Sequence, residues 1–302
     1  MTVCIAAIYQ NEGNGDGIVL VADWQKTDSN TNRKSDTAFK LNRLTSRVAA
    51  LGSGDLELFN DISSRTSHEL DQREDCDSLT VEEVKDCYLS AERAYRMAFL
   101  KRHVLYRFEA IQETLAQTVE PDERKAFLRY AEEQSRDIEV PYSNDVIIAG
   151  LDNDGRASIY KITPQACDNH TKQAYAIIGE GDSVAEAEFQ KRLSVPFFGK
   201  GRTLFLCYMA KRRSEVIASV GALTGIYTME EDGNDISFSN SVMGNKLKEE
   251  FEKLENLNQK NETETYHQIQ NVFEEARPDT GEIENDDTPT NETGVRGDIA
   301  ES

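Results

Sequence analysis

The chain has 302 residues, 38% of them hydrophobic and 29% charged, with a formal net charge of −21. That length and composition support a globular core while leaving part of the chain uncovered. The acidity argues against binding a nucleic-acid backbone or an anionic membrane, and no apolar run approaches the ~20 residues of a membrane span.

The front reads as β. Thr2–Ile8 is a short β-branched run, Asn11–Gly17 is a glycine- and asparagine-rich turn, and Ile18–Ala22 is the returning strand of a hairpin that ends at Asp23. After a polar loop at Thr27–Thr37, strands are predicted around Phe39–Leu41 and Val48–Leu51. The Gly52-Ser53-Gly54 turn then leads into a helix capped by Asp55. Residues 72–140 read as a helical insert. Thr80 and Glu83 form a capping box, and Leu100, Val104, Phe108, Ile111 and Leu115 share one helical face. Pro121 restarts a second helix toward Gln134.

β-structure returns with Asp145–Leu151, a turn at 152–155, and Ala157–Ile162. Ala174–Ile178 is a further strand, followed by Gly179-Glu180-Gly181 and helices over Val184–Leu193 and Phe205–Val220. Strands at Gly225–Met229 and Ile236–Asn240 close the domain. Consecutive hairpins without βαβ alternation predict an α+β fold of two antiparallel sheets covered by helices.

Residues 1–242 are expected to form the main domain, with 243–277 an exposed helical extension carrying Leu247, Phe251 and Leu254. Residues 278–302 form an acidic tail, with eight acidic residues against one Arg from Pro278 onward, too polar to fold. The start MTVCIAAIY lacks a basic region and a cleavage site, so no secretory signal is read, and a cytoplasmic location is expected. Cys4, Cys76, Cys87, Cys167 and Cys207 are odd in number and scattered, supporting neither a disulfide framework nor a metal site. The sequons at Asn261 and Asn291 and the Arg296–Asp298 RGD read as chance in a polar tail.

Several segments carry a resemblance. MTVCIAAI, GIVLVADWQKTDS, DTAFKLN and VAALGSGDL resemble the start of proteasome β-type subunits and their bacterial relatives. DVIIAGLDNDG, AIIGEGDSVAEAEFQKR and SVGALTGIYTM are similar to that family's second half. The resemblance spans about residues 2–70 and 143–240. It implies the four-layer α-β-β-α sandwich of the N-terminal nucleophile hydrolases, here with the insert at about 72–140.

It also implies a chemistry. Thr2, exposed by removal of Met1, would attack an amide carbonyl through its hydroxyl, with its own α-amine as base. Asp23 matches the acid that orients the nucleophile or charges a neighbouring Lys. Gly52 matches the oxyanion-hole glycine, and it also reads as a turn glycine needing positive φ. No metal or organic cofactor is implied. The partners implied are a peptide or protein substrate and further copies of the chain in a ring, with no nucleic acid and no membrane.

Departures from the pattern support a second reading, an inactive scaffold or partner-binding subunit of the same fold. Counting back from Leu41-Asn42, the family's active-site Lys falls at Thr37, after Asp36. Lys34 and Lys40 flank that position at three residues, and strand alternation turns Lys40 to the other face. The family's GSG serine is Glu180, which either replaces part of the lost network or, as an acid beside the α-amine, would raise the amine's pKa and impair it as a base. Of the later Asp and Ser pair, Ser219 lies near the expected place, while Ile217 and Gly225 stand where an acid is expected. His68, His103, His170 and His267 have no triad spacing and read as surface or packing residues, and Trp24 reads as a cleft or packing residue.

Overall fold

A computed structural model describes residues 2–10, 15–23, 26–27, 34–35, 40–100, 122–123, 125–126, 129, 144–191, 199–230, 236–238 and 242–275. The first hairpin pairs β1 (Cys4–Gln10) with β2 (Asp16–Asp23) in antiparallel register, Cys4 opposite Ala22 and Gln10 opposite Asp16. A two-residue ribbon, β3 (Lys26–Thr27) and β4 (Lys34–Ser35), precedes β5 (Leu41–Arg43) and β6 (Val48–Ser53). β6 therefore runs through the expected Gly52-Ser53-Gly54 turn, and the left-handed residue is Gly54, at φ 111°. Gly52 is small for a different reason: a Cβ there would lie 2.4 Å from the Phe59 ring.

Asp55 caps α1 (Leu56–Asp71), its carboxylate accepting from the Glu57 and Leu58 amides. The Thr80–Glu83 capping box opens α2 (Val81–Leu100): the Thr80 amide donates to the Glu83 carboxylate at 2.8 Å. Val81, Val84, Tyr88 and Ala91 are buried, so the segment read as an insert begins with a helix that joins the core. The face predicted from Val104 to Leu115 lies outside the described residues.

The second hairpin pairs β7 (Asp145–Leu151) with β8 (Ala157–Ile162), and β9 (Cys167–Asn169) follows. β10 (Tyr175–Ile178), α3 (Asp182–Gln190), α4 (Lys200–Ser214), β11 (Thr224–Glu230) and β12 (Ile236–Phe238) complete the pattern. α4 starts five residues before the expected Phe205 and ends at Ser214 rather than Val220. Its first turn, Lys200-Gly201-Arg202, has no apolar residue to announce it.

The strands form two five-stranded antiparallel sheets, ordered β10-β1-β2-β11-β12 and β5-β6-β7-β8-β9. Alternation along each strand decides the packing. Cys4, Ala6, Ile8, Ile18 and Leu20 of the first sheet join Leu51, Ile147, Ala149 and Ile159 of the second in one buried cluster. The alternate residues Val48, Ala50, Val146 and Ile148 pack instead with Phe59, Ile62, Val84 and Tyr88 from α1 and α2. α4 packs against β1 and β2, and α3 against α4 and β10. The fold is thus mixed α+β, with two antiparallel sheets sharing a core.

The chain divides into two compact units, Met1–Glu249 and Glu250–Ser302, and α5 (Val242–Glu275) crosses the division. The described part of the second unit is a polar helix on which Leu257, Tyr266 and Ile269 are exposed. The tail beyond 275 lies outside the described residues. Among the described residues no helix is long and apolar enough to cross a membrane.

Candidate functional site

Thr2 lies just before β1 and Asp23 ends β2, so the antiparallel register brings residues 21 positions apart side by side. Both are buried. The Thr2 hydroxyl donates to the Asp23 Oδ1 carboxylate oxygen. Lys40 completes the group. Its Nζ donates to Thr2 Oγ1 at 2.5 Å and to Asp23 Oδ1 at 2.8 Å, forming a buried ion pair with the acid. A hydroxyl beside a buried ammonium is stabilised in its anionic form, and the carboxylate fixes the ammonium in place.

Lys40 corrects the sequence reading. Strand alternation counted from Thr37 had turned it away from Thr2, but Lys40 extends the β5–β6 pairing opposite Gly52 and its side chain reaches Thr2, so the reference position was misplaced. Its position immediately before the Leu41-Asn42 pair was the available signal. The counting had fixed on Thr37, which lies outside the described residues, as do Asp36 and Trp24. The backbone of Lys34 pairs with Thr27 in the β3–β4 ribbon.

Asp23 is held from three further directions. The Val3 amide donates to its Oδ1 at 3.3 Å, its own amide donates to the Val3 carbonyl, and the Gly221 amide donates to its Oδ2 at 2.9 Å. Gly221 closes a loop beneath which sits Lys211, fully buried on α4. The Lys211 ammonium donates to the Gly221 carbonyl at 2.7 Å, the Ala222 carbonyl at 3.0 Å and the Glu215 carboxylate at 2.6 Å. Burial pulls the Lys211 pKa below the ordinary lysine value, and Glu215 offsets part of that.

The turn after β10 clasps Thr2 from the other side. The Gly181 amide donates to the Thr2 carbonyl at 3.4 Å, and Ser214 Oγ on α4 shares its proton between the Ala210 carbonyl of its own helix at 2.8 Å and the Gly181 carbonyl at 3.1 Å. Gly179 has φ 100°, and a Cβ there would stand 2.2 Å from the Thr2 carbonyl oxygen. Between these glycines Glu180 is exposed and accepts from Ser219 Oγ at 2.5 Å. Glu180, a departure noted in the sequence, and Ser219, which stands near its expected place, are thus partners. Ile217 lies in the loop after α4, and Gly225 lies in β11 opposite Ala22.

Gly52 lies opposite Lys40, and its N–H donates to the Lys40 carbonyl at 3.0 Å. That amide belongs to the strand ladder, so an oxyanion would have to share it. Cys4 Sγ contacts the Gly52 carbonyl at 3.6 Å, and burial pushes the Cys4 thiol up to about 12, holding it protonated near neutral pH. His68 lies exposed on α1 near Gln72, and His170 and His267 are likewise remote in sequence from the Thr2 group; His103 lies outside the described residues. Among the described residues no group of three or more His, Cys, Asp or Glu side chains is placed to hold a metal ion. Neither a protein-family model nor a curated protein matches the chain.

Proposed function

We propose that the protein is a threonine hydrolase that cleaves amide bonds, with Thr2 as nucleophile. The observation that carries this reading is the buried Thr2–Lys40–Asp23 group, a hydroxyl bonded at once to an ammonium and a carboxylate. An inert strand-starting threonine needs neither partner. The two helix-flanked antiparallel sheets are compatible with the four-layer sandwich that the resemblance to proteasome β-type subunits implies. The same resemblance suggests a homo-oligomer acting on peptides or proteins.

In this reading, removal of Met1 gives Thr2 a free α-amine, whose reference pKa near ~8 suits a base at neutral pH. The hydroxyl turns its proton from Asp23 Oδ1 to the amine, which takes it as Oγ1 adds to the substrate carbonyl carbon. The C–N bond then breaks, the leaving amine departs with the proton, and an ester to Thr2 remains. Water hydrolyses that ester, releasing the acid and restoring Thr2. Lys40 stabilises the negative charge on Oγ1, and Asp23 orients Lys40 and the hydroxyl. Gly52 would serve as oxyanion donor by sharing its amide between the Lys40 carbonyl and the oxyanion.

Two observations favour a second reading, an inactive partner-binding subunit. The Gly52 amide is already engaged, and Glu180 places a carboxylate on the turn that clasps Thr2. Intact mass before and after treatment with a β-lactone decides between them. A mass lacking Met1 that gains one adduct, lost in Thr2→Ala, supports the hydrolase. A free Thr2 that never reacts, or retained Met1, supports the inactive subunit.

A further inference from the structure

We infer that Lys211 is a positioning residue for the Thr2 site, acting through the Gly221 amide; the inference rests on the hydrolase reading above. Lys211 lies on α4 between Arg212, Arg213 and a run of apolar residues, yet it is fully buried where lysines are ordinarily exposed. Burying an ammonium is unfavourable unless every N–H finds an acceptor. Here three donors meet three acceptors: the Gly221 carbonyl, the Ala222 carbonyl and the Glu215 carboxylate. Two of these are consecutive backbone carbonyls of the loop between α4 and β11. Drawing both toward α4 fixes the peptide planes of that loop.

The fixed geometry has one outlet toward the site. The Gly221 N–H donates to Asp23 Oδ2, while Asp23 Oδ1 is shared by Thr2, Lys40 and the Val3 amide. The Gly221 bond therefore sets the rotation of the carboxylate, and the rotation sets where Oδ1 meets the nucleophile and its ammonium. The loop starts from the C-terminus of α4, where Ser214 also holds the Gly181 turn behind Thr2. A single turn of α4, Lys211 to Ser214, thus braces both loops that flank the site. Lys211 does not itself touch Thr2; its effect passes through Gly221 and Asp23.

The test uses full-length Lys211→Met, which keeps the side-chain length and removes the charge and donors. Two readouts are taken: β-lactone acylation of Thr2, resolved into saturation constant and maximal rate, and hydrogen exchange of the Gly221 amide. The expected result is a maximal rate lower by about 10²-fold, as for a displaced reacting group, at an unchanged saturation constant. Gly221 exchange is expected to accelerate. A wild-type acylation rate, or a Gly221 amide as protected as in the wild type, overturns the inference. Should the wild type itself resist acylation, the hydrolase reading fails, and Gly221 exchange alone decides whether Lys211 holds the loop. Lys211→Gln, which retains a shorter donor, carries the same readouts if the Met variant does not fold.

Discussion

Substituting Gly179→Ala tests the clasp around Thr2 most directly. Gly179 has φ 100°, beyond the left-handed region that alanine tolerates, and holding a side chain there costs about 1–3 kcal/mol. The new Cβ would also stand 2.2 Å from the Thr2 carbonyl oxygen and 2.8 Å from its carbon. Both neighbours are backbone, so relief requires shifting a chain segment by about 1 Å, an overpacking cost of about 1–3 kcal/mol. Together these give a loss of about 4 kcal/mol, within the ~5–15 kcal/mol stability of an ordinary domain. Equilibrium denaturation would read it as a lower midpoint at unchanged slope. The same shift displaces Thr2 and should slow β-lactone acylation by about 10²-fold. Gly201→Ala is the matched control: it lies in α4 with nothing within 4 Å of its Cβ, and should be neutral or stabilising by up to about 1 kcal/mol. A Gly179→Ala protein within about 0.5 kcal/mol of the wild type, with unchanged acylation, would refute the reasoning.

Lys40→Met leaves the Asp23 carboxylate buried without its counter-charge and should cost about 3–5 kcal/mol, whereas the double variant with Asp23→Asn should recover much of that; additive losses in denaturation would argue against a coupled pair. A thiol reagent at pH 8 should modify Cys167 in the native protein, since it is exposed although its pKa is also raised by partial desolvation, and reach Cys4 and Cys207 only after unfolding, because both are buried away from the reagent and held protonated; peptide mapping of the adducts checks this. Burial pushes the Glu188 carboxyl up, but Arg213 and Lys191 outweigh it and hold the pKa below the ordinary value. Its contribution is therefore present above the unfolded value near ~4.3 and lost as pH falls through the folded one. Glu188→Gln should be about 1–3 kcal/mol less stable at pH 7, with a shallower decline in stability below pH ~4, read from denaturation curves across pH.

Local signals explain which elements were legible. The β1–β2 and β7–β8 hairpins announce themselves as apolar runs around glycine-rich turns, and Asp55 and Thr80–Glu83 supply their own caps. Asp23 was legible because it terminates such a run. Lys40 was not, since its face was judged against Thr37, and the count across the preceding polar loop had no fixed length. Lys211 was hidden among basic neighbours, although Leu204, Cys207, Lys211 and Ser214 follow a 3-4-3 helical spacing, and all four are buried. Gly221 carried no signal, because its contribution is a backbone amide whose partner lies 198 residues away.

That separation has a consequence for synthesis. At ~5–20 residues per second, translation reaches Gly221 about 10–40 s after Asp23. Through nearly all of that interval Thr2 and Lys40 are already made, but the loop that orients their shared carboxylate does not yet exist. In the nascent chain the Thr2–Lys40–Asp23 group thus lacks its Gly221 bond, which forms only as β11 takes its place beside β2.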